Sequence, residues 1–308
     1  MKKIILAFGM VLATAFACFA ASPASDFGYE LMSESELTDL SRYVNGLNTK
    51  GDFIEIYDYN GRDSTVEIPA EIEGCKVIKV RGVSADKIVV PASVIWFVGG
   101  GDEEREGTEF EFKRPKTAAF FWEIGSLEYV KNLELDRKII FAGERLELPS
   151  VESFTWSKNW STMVKDYFGS KPKYNSLEFR LAGFTLKLVI EDGITELPFT
   201  VYNCCQTLVL PKTLKTIRAI TDRGSTQGSI ISEWDSYYES NLRHYENSAV
   251  YNADGTKEYT KPKPIANELV NIVIPAGAKI KIEPGAIRGV DHMSITTQKA
   301  LKAQGYSW

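Results

Sequence analysis

Histidine is the scarcest of the residues that commonly carry chemistry, since the 308-residue chain has only two, His244 and His292. Two imidazoles are too few for a multi-histidine metal site, and neither lies in a segment that predicts a rigid element. A catalytic serine or cysteine needs a histidine that a rigid element holds beside it as a base. The glycine-rich nucleotide-binding motifs and Cys-x-x-Cys are also missing. Carboxylates are abundant, but no pair stands out as the two that a glycoside hydrolase needs. We therefore expect no catalytic residues, no metal and no cofactor.

The chain also lacks a basic excess and a regular set of cysteines. Its 36 basic and 41 acidic residues give a net charge of −5, which argues against nucleic acid as a partner. Beyond the N-terminal segment, the cysteines are Cys75, Cys204 and Cys205. An odd number makes a poor disulfide framework, and adjacent cysteines cannot easily bond to each other. We expect Cys204 and Cys205 to be small, buried apolar residues.

The first residues are typical of an export signal. Two lysines precede an almost wholly apolar run, and Cys18-Phe19-Ala20 places small residues before a cleavage point at Ala21. We interpret residues 1–20 as a cleaved signal peptide, with an uncleaved membrane anchor as the alternative. Cys18 adds a second alternative, because a bacterial lipoprotein signal would attach lipid to it. The expected location is the cell surface, the medium or the periplasm.

Residues 21–50 predict a linker followed by a helix. Ser33 and Glu36 fit a capping box, in which the serine side chain accepts from the backbone of Glu36 and the glutamate reaches back to the serine. Apolar residues then follow at helical spacing: Leu37, Leu40, Val44 and Leu47. We expect the helix to cap the open end of the domain that follows, with a partner-binding helix as the alternative.

One short phrase recurs along the chain: two apolar residues around a variable one, then proline. It stands at Val66-Glu67-Ile68-Pro69, Ile88-Val89-Val90-Pro91, Leu146-Glu147-Leu148-Pro149, Leu208-Val209-Leu210-Pro211 and Ile272-Val273-Ile274-Pro275. The first two prolines are 22 residues apart, and Lys113 takes the same place 22 residues later, after Phe110-Glu111-Phe112. Asp136 follows after 23 more, behind Leu133-Glu134-Leu135, and the spacing then breaks at Pro149.

A period in the low twenties with one short strand per unit predicts a mainly β, leucine-rich-repeat type solenoid of about 20–24-residue coils with short terminal cap helices. A three-residue strand buries only two side chains, so it is stable only when the next unit stacks on it. Stacking should place Ile68, Val90, Phe112 and Leu135 in one buried column. Proline ends each strand because it has no N–H to donate. The alternative is a β-sandwich, in which a strand would occur roughly every 8 to 12 residues.

The units at 66–74 and 207–217 resemble the BspA-type leucine-rich repeats of bacterial surface proteins. In that family an apolar residue and an Ile-Pro pair are followed by polar pairs and further apolar residues, as in Val66-Glu67-Ile68-Pro69-Ala70-Glu71-Ile72. The resemblance covers residues 51–217 and again 269–290. It implies a repeat solenoid that adheres to proteins of a host or of neighbouring cells.

The remaining boundaries follow from the repeats. We assign residues 51–217 to the solenoid, 218–268 to an insertion or degenerate coils, and 269–308 to the last coil and a C-terminal cap with a helix at 296–303. Insertions in solenoids lie on one face, often the binding face. This one holds candidate binding residues, Trp234, Tyr237, Tyr238 and Tyr251, and Asp254-Gly255 predicts the turn of a hairpin within it.

Aromatic residues are concentrated between residues 120 and 168. Trp156 and Trp160 flank a polar stretch that contains Lys158, and these rings either fill the core or form an exposed patch. The favoured function is an exported, non-enzymatic leucine-rich repeat protein that binds another protein, as in surface adhesion. The alternative is a glycan-binding module that uses an exposed patch at Trp156, Trp160 and Lys158. Full burial of the two tryptophans would exclude that alternative.

Overall fold

The structure is a computed structural model, and it describes residues 21–99, 107–123, 125–128, 130–165, 171–222, 225–232, 250–251, 257–258 and 269–308. The protein is mainly β, as the repeats predict. Within these ranges, the strands form four sheets of four or more strands, named A to D, and three smaller sheets. The predicted signal peptide, which includes Cys18, lies outside the described residues.

Sheet A runs through the N-terminal half of the chain. Its strands are β1 (Phe27–Leu31), β2 (Phe53–Tyr59), β4 (Glu71–Ile72), β5 (Cys75–Arg81), β7 (Trp96–Val98), β9 (Phe120–Glu123), β11 (Ile139–Ala142), β14 (Trp160–Val164) and β15 (Lys173–Tyr174). Strands β2, β5, β7, β9, β11 and β14 lie side by side and parallel, while β1 and β15 add antiparallel strands at the two edges. Continuous apolar runs such as Phe120-Phe121-Trp122 are typical of parallel strands that are buried on both faces.

Sheet B contains the first proline phrases. Its parallel strands are β3 (Thr65–Glu67), β6 (Lys87–Val90), β8 (Thr108–Phe112) and β10 (Val130–Lys131). Val66 pairs with Ile88, and Ile88 pairs with Phe110, so neighbouring strands align at the 22-residue spacing that the sequence shows. The predicted register of these three units is therefore confirmed.

Sheet D contains the later phrases. Its parallel strands are β13 (Ser153–Trp156), β17 (Thr185–Ile190), β19 (Cys205–Val209) and β26 (Asn271–Val273). Leu188, Leu208 and Ile272 are aligned across three of them, as the phrase predicts. Phe154-Thr155-Trp156 continues the same alignment, since Phe154 pairs with Leu188. Sequence reasoning missed this unit because Ser157, not proline, follows its strand.

Sheet C forms a third set of parallel strands, and it bears on two predictions. It consists of β12 (Arg145–Leu148), β16 (Arg180–Gly183), β18 (Thr200–Tyr202), β23 (Ile230–Ile231) and β28 (Ile287–Arg288). The Leu146–Pro149 phrase therefore belongs to a different sheet from the other phrases, which explains why it breaks their spacing. Residues 230–231 pair with strands on both sides, so this part of the predicted insertion is built into a sheet.

The smaller sheets lie near the predicted insertion. Parallel β20 (Thr216–Ile217) and β27 (Lys281–Ile282) pair with each other, as do the antiparallel strands β21 (Ile220–Asp222) and β22 (Ser225–Gln227). The antiparallel pair β24 (Val250–Tyr251) and β25 (Lys257–Glu258) flanks Asp254-Gly255, which confirms the predicted hairpin strands.

The prediction that Leu135 lies in the buried column is wrong. Ile68, Val90 and Phe112 are buried, but Leu135 is 44% exposed. The strand that pairs with β8 is β10, which ends at Lys131, and Asn132 then takes a left-handed backbone with φ of 56°. That conformation ends an extended strand. Leu135 therefore follows the strand rather than lying in it.

The core is continuous from the first strand to the C-terminal end. Aliphatic side chains such as Val66, Ile88, Leu188 and Leu208 form its regular parts. Each buried side chain of this size stabilises the fold by about 1.5–3 kcal/mol relative to leaving it exposed. The central part is filled by aromatic rings instead, including Phe110, Phe112, Trp122, Phe141, Trp156, Trp160 and Phe199.

The N-terminal helix lies elsewhere than predicted. Helix α1 (Glu34–Tyr43) begins with the predicted capping box, in which Ser33 N donates to Glu36 Oε2 at 2.7 Å and Glu36 N donates to Ser33 Oγ at 3.3 Å. Its buried leucines pack on the outer side chains of sheet A, among them Ile78, Phe121, Ile140 and Met163. The helix therefore covers a face of sheet A, not the open end of the domain. That end is covered by β1, and Ser22 bonds to both backbone groups of Glu67 on β3.

The C-terminal residues form a helix where the sequence predicts one. Helix α2 (Ile295–Ala303) and the residues after it supply side chains to backbone groups of the last strands. Thr297 Oγ1 accepts from Ile272 N at 2.9 Å, Gln304 Oε1 accepts from Ile280 N at 2.9 Å, and the Tyr306 hydroxyl donates to Ile287 O at 2.8 Å. Short 3₁₀ helices occupy Ala24–Asp26 and Val290–His292. Neither α1 nor α2, nor any other helix in the described ranges, is long and apolar enough to cross a membrane.

Candidate binding surface

The predicted aromatic patch at Trp156 and Trp160 is not exposed. Trp156 is fully buried and Trp160 is 4% exposed. The two ring centroids are 5.5 Å apart, and Trp156 also meets the rings of Phe141 at 5.3 Å and Phe199 at 4.6 Å. The cause is register, since Trp156 occupies the inward position that Ile190 takes on β17. A sugar ring needs an open aromatic face, so the glycan-binding alternative at these tryptophans is wrong.

Lys158 is exposed but already has a structural partner. Its Nζ lies 3.1 Å from Glu191 Oε1, and its backbone N–H donates to Glu191 Oε2 at 2.9 Å. The backbone hydrogen bond from Lys158 is the main cause that lowers the pKa of Glu191 below its ordinary value, and Ser157 Oγ adds a further hydrogen bond at 3.0 Å. These contacts tie the residues after β13 to the residue after β17.

The other predicted site residues fall largely outside the described part of the chain. Trp234, Tyr237 and Tyr238 lie outside it, and only the backbone of Tyr251 is described, in the β24–β25 hairpin. His292 lies in the 3₁₀ helix near the C-terminal end. Within the described ranges, no group of three or more His, Cys, Asp and Glu residues could hold a metal ion.

The three cysteines are free, and two of them are buried as predicted. Cys204 and Cys205 have no exposed surface, while Cys75 is partly exposed. The hydrogen bond with Cys204 and the burial of the thiol raise the pKa of Cys205 well above its ordinary value. A thiol held protonated is a poor nucleophile, so this pair belongs to the core.

A groove that sequence reasoning missed lies between sheets B and D. It encloses about 850 Å³ and is bordered by β10 on one side and β13 on the other. Strand β10 is the last of sheet B and β13 the first of sheet D, and no ladder in the described chain joins the two strands. The groove therefore stands where a regular stack would continue from one strand to the next.

Apolar side chains form the lower part of the groove and part of its rim. Leu127 and Trp160 are buried beneath it, while Leu133 and Phe154 are partly buried against the core. Exposed aliphatic side chains stand at its rim: Leu135 at 44% and Val151 at 41%. Exposed apolar residues that lie together mark interaction surfaces more often than scattered ones do.

One wall of the groove is a strand edge with hydrogen-bonding groups directed into it. Trp156 O accepts from Glu191 N at 3.1 Å, so the backbone of Trp156 faces β17. Successive residues of a strand direct their backbone groups to opposite sides. The N–H and C=O groups of Ser153 and Thr155 therefore face the groove. On the opposite wall, Val130 N donates to Leu127 O at 3.1 Å within a turn.

The groove is closed at one end by side chains. Ser157 Oγ donates to Leu135 O, and Asn159 Nδ2 donates to the same oxygen at 3.0 Å. Elsewhere on sheet D, the partly exposed valines Val189, Val209 and Val273 are aligned across three strands. Val273 is 45% exposed. The sequence signal for the groove is the break in the spacing after Asp136, at Pro149.

Comparison with known proteins leaves the family open. No protein-family model and no curated protein matches the chain. A similar solved structure is the crystal structure of a leucine-rich repeat protein of Treponema pallidum, TpLRR. The alignment covers 94% of this chain and 97% of that chain, with 13% sequence identity and a TM-score of 0.31. Similarity at this score identifies neither the family nor the function of the chain.

Proposed function

We propose that this chain is an exported leucine-rich repeat protein of the BspA-like kind that binds another protein and has no enzymatic activity. The observation that carries the proposal is the groove between β10 and β13, with an apolar floor and exposed Leu135 and Val151 at its rim. Protein interfaces have this composition, with apolar residues at the centre and polar groups around them. Bacterial surface adhesion is the setting that the repeat resemblance favours.

The solenoid part of the proposal is supported by the parallel alignment of the phrases. The strands of sheets B and D bury the same positions of successive units, which is how repeat proteins share one core between neighbours. Each end is completed by non-repeat residues, with β1 and Ser22 at one end and α2 at the other. Such end structures are what repeat arrays require for solubility.

Export is supported by the apolar run and the small residues that precede Ala21. Ser22 N donates to Glu67 O at 3.0 Å, so the second residue after the predicted cleavage point is already held against β3. Cleavage before Ala21 would remove the apolar run and keep Ser22, which bonds to Glu67. Expression in a bacterium followed by N-terminal sequencing tests this: we expect Ala21 as the first residue, while lipid on Cys18 would establish the lipoprotein alternative.

The non-enzymatic role is supported by the groove's chemistry. Its described lining contains one carboxylate, Glu128, and one amine, Lys131. Glycoside hydrolysis requires two carboxylates at a defined separation, and nucleophilic catalysis requires a base beside the nucleophile. The lining therefore suits recognition rather than bond cleavage.

The experiment is capture of surface proteins by immobilised residues 21–308, with Val151→Glu as the groove variant. Ile295→Glu is the matched control, because Ile295 is 70% exposed and lies on α2, outside the groove. We expect a protein from host or neighbouring cells that wild type and the control retain and that Val151→Glu retains at least 10-fold less. Failure of wild type to retain any protein would contradict the proposal.

The aromatic residues of the insertion stay a prediction and define a second arm. The double variant Trp234→Ala, Tyr237→Ala tests whether the insertion takes part in the same binding. Loss of capture in this variant, with Val151→Glu unaffected, would place the binding surface at the insertion instead of the groove.

A further inference from the structure

We propose that the groove binds an extended segment of the partner polypeptide, which adds to the free edge of β13 as a further strand. This inference rests on the proposed protein-binding function and specifies the form of the ligand. Strand addition is a common way for proteins to capture peptides, because the backbone supplies affinity and alternate side chains supply specificity.

The first argument is the contrast between β13 and the other strand edges. At three other sheet edges, side chains of the same chain cover backbone groups of the edge strand. Ser22 covers β3, Thr297 covers Ile272 on β26, and Tyr306 covers Ile287 on β28. A fold that covers its strand edges avoids pairing with other chains. At β13 the corresponding edge faces the groove, and no described residue across the groove bonds to it.

The second argument is the direction of the backbone groups. Ser153 and Thr155 each direct one N–H and one C=O into the groove, as derived from the Trp156 O to Glu191 N bond. These four groups match one face of an extended segment. A helix bonds its own backbone groups internally, so a helical ligand would leave the N–H and C=O groups of Ser153 and Thr155 without partners.

The third argument is the arrangement of side chains around the edge. An extended segment turns alternate side chains to opposite sides. Those directed inward would meet Leu133, Phe154 and Trp160, and those directed outward would lie between Leu135 and Val151. The ligand is therefore a segment with apolar side chains at alternate positions. Strand β13 has four residues, so the paired part of the ligand is correspondingly short.

The probe is a displayed library of 12-residue peptides selected on folded residues 21–308. The best peptide is then synthesised as a series in which one backbone nitrogen at a time is methylated. N-methylation removes a donor, so we expect affinity to fall at least 10-fold at every second position and to change less than 3-fold at the positions between. Val151→Glu and Leu135→Glu should each weaken the unmethylated peptide at least 10-fold, with Ile295→Glu as the unaffected control.

Two results would overturn the inference. Loss of affinity at consecutive methylated positions, or at none, would show that backbone pairing at alternate residues does not occur. Selected peptides whose affinity is indifferent to both groove substitutions would place peptide binding elsewhere. If a surface protein is still captured through the groove while either result holds, protein binding stands and strand addition fails. Unfolding curves of each variant confirm that it is folded.

Discussion

Strands β6 and β13 carry the same kind of phrase, yet one is paired on both sides and the other on one side. In β6, Val90 O accepts from Lys113 N at 2.8 Å toward β8, and Val89 O accepts from Ile68 N at 3.0 Å toward β3. In β13, Trp156 bonds toward β17 while Ser153 and Thr155 face the groove. The difference teaches that spacing alone does not decide pairing, because the strands of sheet D pair at unequal intervals while the edge of β13 toward β10 has no partner in the described chain.

The two regions also differ in how their cores are filled. The first two strands of sheet B pack aliphatic side chains from aligned positions, such as Val66 and Ile88. Next to the groove, the stack is irregular and large rings fill the space, with Trp156 in contact with Phe141, Trp160 and Phe199. Rings bury a large area each, so a few of them can fill a space that aligned aliphatic residues no longer fill.

The largest expected effect is at the irregular part of the core. Trp156→Ala removes a fully buried ring, so we expect the free energy of unfolding to fall by about 3–5 kcal/mol. Urea unfolding followed by fluorescence and circular dichroism measures it. A loss below about 1 kcal/mol would show that the ring is not packed as described, and that the exposed-patch interpretation should return.

The next effect separates the correct and incorrect members of the predicted column. Ile68→Ala should cost about 2–5 kcal/mol, because Ile68 is buried and its backbone N–H donates to Val89 O at 3.0 Å. Leu135→Ala should change stability by less than about 0.5 kcal/mol, because most surface substitutions do. Urea unfolding of both variants is the measurement. Equal losses in the free energy of unfolding would show that Leu135 is buried in the core, and would contradict its place at the exposed rim of the groove.

A smaller effect compares a covered strand edge with the open one. Thr297→Val leaves the buried Ile272 N–H without its acceptor, so we expect a loss of about 1–3 kcal/mol. Thr155→Val keeps the backbone of β13 and should change stability by less than about 0.5 kcal/mol. Thermal unfolding measures both. A larger loss at Thr155 than at Thr297 would contradict the assignment of the open edge.

The smallest effect concerns the first turn of α1, the helix that covers sheet A. Ser33→Ala removes the capping box and should cost about 1 kcal/mol at pH 7. The Ser33 side chain, followed by its backbone N–H, lowers the pKa of Glu36, so the contribution of Glu36 is present above its unfolded pKa and is lost as pH falls through the folded one. The difference in the free energy of unfolding between wild type and Ser33→Ala should therefore become smaller below about pH 4. A difference that stays constant from pH 7 to pH 3 would exclude the Glu36 carboxylate from the cap.

The proline phrases were enough to predict the mainly β architecture and the register of several units. Val66, Ile88 and Phe110 align because the interval between them is constant, and the C-terminal helix follows from its local pattern. The capping box of α1 is equally local. Where α1 packs could not be predicted, because its leucines contact strands that are distant in sequence, such as β9 and β14.

The candidate site was beyond a search for repeated phrases. Ser157 in place of proline hid the unit at Phe154-Thr155-Trp156, and Leu133-Glu134-Leu135 matched the phrase without forming the strand. The groove depends on both departures, since it lies between the shortened β10 and the unrecognised β13. A missing hydrogen-bond partner is a property of two strands in space, and neither strand's sequence contains it.

Amide hydrogen exchange at β13, followed by NMR, tests the open edge most directly. We expect the N–H groups of Ser153 and Thr155 to exchange fast and those of Phe154 and Trp156 to exchange slowly, whereas the N–H groups of Ile88, Val89 and Val90 in β6 should all exchange slowly. Addition of the selected peptide should slow Ser153 and Thr155. Equal, slow exchange along the whole of β13 in the free protein would show that its edge is already paired, and would contradict the account.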